Sequence, residues 1–91
     1  MHRQDIFDAA MDAVKDRGTD YGSPLENFNR IANLWEAYVG EVFTAQDVGI
    51  MMMLVKVSRL MENPKHFDSW VDIAGYSAIT AEAIVDGDET V

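Results

Sequence analysis

"NPKHFDSWVDIAGY", residues 63–76, decides how this chain is read. It holds a short turn ending in Lys65 and His66, then a helix start that carries Asp68 and, one turn on, Asp72. Asn63-Pro64 stops the preceding helix, because a proline pushes the residue before it out of the α region. A connection of so few residues joins antiparallel neighbours. The stretch therefore predicts a helical hairpin. It also raises a question: why do two carboxylates share one edge of a helix beside two basic groups? A metal or phosphate site is one answer, and ordinary surface pairing is the other.

Upstream, "TAQDVGIMMMLVKVSRL" predicts a helix beginning after Thr44, with Asp47 near the positive end of its dipole. From Val48 to Val55 it is apolar almost all round, which predicts a central, buried position. Met51-Met52-Met53 reads as adaptable core packing or a subunit seam. The helix before it is announced by Ser23 as N-cap, Pro24 at the first helical position and Glu26 completing a capping box. Leu25, Phe28, Ala32, Trp35 and Val39 follow at three- and four-residue steps, and Gly40 ends it. A first helix is expected over residues 3–17, spaced by Ile6, Ala10 and Val14 and stopped at Gly18. The last helix is expected to be capped by Asp68 and to run to about Val85. The expected fold is all-α and four-helix bundle-like: one domain over residues 1–86, with a solvated tail at 87–91.

On the fourth helix, Trp70, Val71, Ile73, Ala74, Ala78, Ala81, Ile84 and Val85 make a broad apolar face. Asp72 points the other way, yet its company there is Gly75, Tyr76, Ile79 and Ala83. A helix apolar on two sides is expected to be covered on two sides. An Asp72 in such surroundings needs a cation, a metal or water. Counting outward from the turn sets Arg59 level with Asp72, and Lys56 level with Gly75 and Tyr76. Trp35 and Trp70 fit core patterns, with Trp70 also placed to stack on a base.

Composition narrows the function. The chain has 91 residues, no cysteine and a formal charge of −9. Disulfides, thiolate metal sites and Cys nucleophiles are excluded. The charge argues against nonspecific nucleic-acid binding, and no apolar run is long enough to span a membrane. A domain this small leaves a large share of its surface exposed, so self-association is expected. Of the seven Lys and Arg residues, Lys56, Arg59 and Lys65 fall within ten positions. They suit a phosphate or, equally, pairing with Asp72 and Glu62. "RGTDYGSPLENF", residues 17–28, adds Arg17, Asp20, Tyr21 and Asn27, which turn chemistry does not explain. A loop of that content running into a helix N-terminus suits an anion or a base.

Arg17, Asp20-Tyr21-Gly22, Trp35, Lys56, Arg59 and Asp72-Ile73-Ala74-Gly75-Tyr76, in that order, resemble a family of small phage and prophage proteins known by a domain-of-unknown-function label and sometimes described as MazG-like. The resemblance covers roughly residues 10–80. The MazG-like superfamily comprises all-α nucleoside triphosphate pyrophosphohydrolases that act as dimers or tetramers and hold Mg²⁺ on an E-x-x-E pair and a later E-x-x-D pair. Asp72 matches the final acid of that set. Ser69 stands where its partner would be, with Asp68 adjacent, and Lys56 and Arg59 occupy helix three where acids are wanted.

The expected function is thus binding of a phosphorylated, nucleotide-derived small molecule, with sequestration of a host nucleotide signal as the implied role. Arg17, Tyr21, Lys56, Arg59, Lys65 and Trp70 are the expected contacts, and Asp68 and Asp72 the expected Mg²⁺ ligands. The resemblance further implies a homodimer or higher oligomer in the cytoplasm of an infected or lysogenic bacterium. The rivals are a Mg²⁺-dependent pyrophosphohydrolase and an anti-defence inhibitor or scaffold acting by protein contact.

Overall fold

A computed structural model describes residues 1–87, the side chains of 16–21 and 86–87 excepted. The expected tail over 88–91 lies outside the described residues. Four helices follow one another: α1 (Arg3–Tyr21), α2 (Pro24–Val39), α3 (Ala45–Glu62) and α4 (Phe67–Gly87). There is no strand among the described residues.

The caps explain the boundaries. Ser23 Oγ accepts the Glu26 amide at 3.2 Å, satisfying one of the orphan donors at the start of α2. The full reciprocal box forms at α3 instead, where Thr44 Oγ1 accepts from the Asp47 amide and Asp47 Oδ2 accepts from the Thr44 amide, at 3.1 and 2.9 Å. Gly40 ends α2 in the left-handed region with φ 88, and its amide donates to the Glu36 carbonyl.

α1 does not stop at Gly18 but continues to Tyr21. Glycine inside a helix costs only about 1 kcal/mol, and a docked helix absorbs that. The stop comes at Gly22, whose φ of 76 suits glycine, because Pro24 keeps Ser23 out of the α region. α4 likewise departs from expectation, starting at Phe67, two residues ahead of the start that an Asp68 cap implies. Asp68 lies inside the first turn, and His66 precedes the helix.

The core gathers Phe28 and Ala32 from α2, Ala45 and Val48 from α3, and Tyr76 and Ile79 from α4. Phe28 and Val48 are fully buried. Trp35 closes one edge by packing edge-on against Phe43, with ring centroids 5.7 Å apart. Among the described residues, α1 leans chiefly on α4 and makes few contacts with α2.

Two expectations about helix faces are overturned. On α4 the buried residues are Ser69, Val71, Gly75, Tyr76, Ile79, Thr80 and Ala83. That is mostly the narrower face around Asp72. From the broad apolar face, Trp70, Ala78, Ala81 and Val85 are exposed. The core selects the side with the large ring of Tyr76 and the branched Ile79. Alanines add many apolar positions to a helical projection but little area to bury. α3 is not buried all round either: Ile50, Leu54, Val57 and Met61 stay open.

α3 approaches α4 very closely at Gly49. A Cβ built there would lie 2.5 Å from Cγ2 and 2.7 Å from Cβ of Thr80. Only a residue without a side chain lets the two helices meet at this distance.

Candidate functional site

The turn after α3 is tied down by its own side chains. Asn63 Oδ1 accepts the Lys65 amide at 3.2 Å. The indole Nε1 of Trp70 donates back to the Pro64 carbonyl at 2.9 Å. Trp70 is 44 % exposed, so it is a strap over the turn with much of its side chain open to water, and the core position expected for it is not found. His66 Nδ1 lies 2.7 Å from Ser69 Oγ. Ser69 is completely buried, and this bond satisfies its hydroxyl. Sequence reasoning missed the pair; its only signal is the three-residue spacing of a helix cap.

Asp72 meets Lys56. Nζ and Oδ2 are 3.1 Å apart, with the lysine side chain 12 % exposed and the aspartate 35 %. The residue level read from sequence is therefore one turn out. The early start of α4 brings Lys56, not Arg59, to Asp72, and Arg59 falls nearer the turn of Trp70. Half the expected geometry holds: an acid at the start of α4 faces a cation near the end of α3. Arg59 and Lys65 are exposed, and Arg59 forms no ion pair among the described residues. Lys56, Arg59, Lys65 and Trp70 thus sit at one end of the α3–α4 hairpin, with Asp68 exposed in the first turn of α4. The side chains of Arg17 and Tyr21 lie outside the described residues.

The lysine is mostly buried, while its partner keeps about a third of its side chain in water. Converting Lys56 to methionine leaves Asp72 unpaired and is expected to cost about 1–2 kcal/mol, less than a fully buried pair would. Lys56→Met with Asp72→Leu should restore most of that loss in urea denaturation. A double variant no more stable than the single one would show that the pair is not coupled.

The cavity beside Asp72 is small. It is about 40 Å³, between α1 and α4, and is bounded by Val14, Val71, Gly75 and Tyr76. It has room for a few water molecules and not for a nucleotide. Among the described residues, no three His, Asp or Glu side chains gather in a way that could hold a metal ion. Asp68 and Asp72 offer two carboxylates, one of them already paired with Lys56.

Residues 5–84 match the family model described as "Domain of unknown function (DUF6378)". The Gene 55 protein of Mycobacterium phage L5 is 49 % identical over 74 residues, covering 80 % of this chain and 47 % of the relative. The Gene 55 protein of Mycobacterium phage D29 is 39 % identical over 62 residues, covering 68 % of this chain and 41 % of the relative. The chain therefore spans less than half the length of either phage protein. No solved structure matches it significantly. No helix among the described residues is long and apolar enough to cross a membrane.

Proposed function

We propose, from the premise that this chain belongs to the DUF6378 family and is homologous to two mycobacteriophage proteins, that it binds a phosphorylated, nucleotide-derived small molecule at the turn end of the α3–α4 hairpin. The observation that carries this reading is the Lys56–Asp72 pair, flanked by an Arg59 that has no ion-pair partner among the described residues. In a chain of charge −9, a patch of Lys56, Arg59 and Lys65 is where an anion is attracted. A phosphate takes the planar fork of Arg59 and the ammonium of Lys65, and competes with Asp72 for Lys56. The open ring of Trp70 supplies a surface for a base. Arg17 and Tyr21 complete the contact set in this reading.

Asp68 and Asp72 suit a Mg²⁺ that arrives with the phosphates better than a resident one. Magnesium keeps several waters and takes only one or two protein carboxylates when a substrate supplies the rest. The protein acts as a homo-oligomer in the cytoplasm of the phage's host, withholding a nucleotide signal from its receptor. The four-residue spacing of Asp68 and Asp72 favours a second reading, a MazG-like pyrophosphohydrolase. In it the same acids hold the metal, and water attacks the triphosphate.

One titration series separates the readings. Thermal shift and calorimetry are run with nucleoside mono-, di- and triphosphates and cyclic dinucleotides, with and without Mg²⁺. Pyrophosphate release is followed in the same tubes. Binding without turnover, weakened at least tenfold by Arg59→Ala, is the expected result. Pyrophosphate release abolished by Asp72→Asn would establish the enzyme instead. A melting temperature indifferent to every nucleotide would remove both and leave a protein-contact role.

A further inference from the structure

The side of the α3–α4 hairpin away from α2 carries an exposed apolar ridge. Ile50, Leu54, Val57 and Met61 are 42, 60, 41 and 82 % exposed and follow at steps of four, three and four residues. That is the spacing of a helix-pairing seam, and it extends about 16 Å along α3. Beside it α4 is low. Ala74, Ser77 and Ala78 floor a groove of about 510 Å³, which Phe7 and Met11 of α1 wall on the far side. Ridge and groove lie on one face. At 100° per residue, Ile50 and Val57 stand about a quarter turn beyond the α3 contact line through Gly49 and Lys56. Ser77 and Trp70 stand the same quarter turn beyond the α4 line through Asp72 and Thr80. In antiparallel helices, equal rotation in the same sense leads to the same side.

We infer that a second copy of this chain covers this face, the α3 ridge of each copy seating in the α1–α4 groove of the other. Large side chains beside small ones make the face its own complement, as a two-fold interface requires. The four ridge positions are all apolar, and Glu82 is the one charged residue among those that line the groove. The area is sufficient. Phe7, Met11 and the four ridge residues together leave on the order of 600 Å² open per copy, at the lower end of what each partner contributes to a standard stable interface. This names the partner in the homo-oligomer proposed above and rests on that reading only for self-association.

Sedimentation equilibrium tests it, with circular dichroism as the check on folding. The wild-type chain of 10.2 kDa is expected to sediment at twice its mass. Leu54→Asp spoils the ridge and Ala78→Trp fills the groove; both sites are exposed, and each variant is expected to sediment as a folded monomer. Tyr38→Ser, at a residue 92 % exposed on α2, is expected to stay dimeric. A wild-type monomer at several hundred micromolar would overturn self-association and this geometry together. A dimer that withstands either Leu54→Asp or Ala78→Trp would overturn the ridge-in-groove arrangement alone.

Discussion

Gly49→Ala should lower stability by about 2–3 kcal/mol, although alanine is the better helix former. The new methyl group would meet Cγ2 and Cβ of Thr80 at 2.5 and 2.7 Å. Rotating Thr80 about χ1 moves its Cγ2 and Oγ1 but leaves its Cβ in place, so the clash is relieved only by separating α3 from α4. That separation loosens Val48 and Tyr76 of the core alike. Total stabilities of small domains run about 5–15 kcal/mol, so the loss is a large share of the whole. The urea midpoint should fall with an unchanged slope. A double-mutant cycle with Thr80→Gly, which vacates the space, should give a favourable coupling of about 1–3 kcal/mol. Effects that simply add would mean the two helices do not meet there.

Phe28→Ala should be the most damaging single change, at about 3–5 kcal/mol. Phe28 has no exposure and lies in the cluster where all three of α2, α3 and α4 meet, its ring 6.5 Å from that of Tyr76. Removing it opens a cavity that Ala32 and Ala45 cannot fill. Phe28→Leu keeps most of the volume and should cost less than half as much. Equal losses from the two variants would show that the site tolerates collapse and that the core lies elsewhere. Phe7 makes the contrast: it is 64 % exposed, and alanine there should leave the isolated chain's stability nearly unchanged.

What sequence reveals here is set by how local the physics is. Ser23, Gly40, Thr44 and Asn63-Pro64 act through their own turns, and they fix four helix boundaries almost to the residue. Gly18 shows the limit, because whether a glycine ends a helix depends on what the helix leans against. The α4 face was misjudged because projection counts apolar letters, while burial follows ring size and close approach. Tyr76, Gly75 and Ser69 decide the matter, and two of those three carry no apolar weight in such a count. The acid–cation meeting at the hairpin was legible, but its register was not. A start at Phe67, two residues ahead of the Ser69 that an Asp68 cap implies, goes with Lys56 and not Arg59 meeting Asp72. Ser69 bonded to His66 was invisible, since neither letter is unusual in its position.

Among the described residues α1 makes few contacts with α2, which bears on the order in which the chain can acquire its shape during synthesis. Phe28 on α2 shares its cluster with Val48 of α3 and with Tyr76 and Ile79 of α4, so most of its cover is missing while only the first half has left the ribosome. The hairpin, joined by four residues between Glu62 and Phe67, closes quickly once α4 emerges. Until then the apolar side chains of α2 and α3 that Tyr76 and Ile79 cover stay open to water.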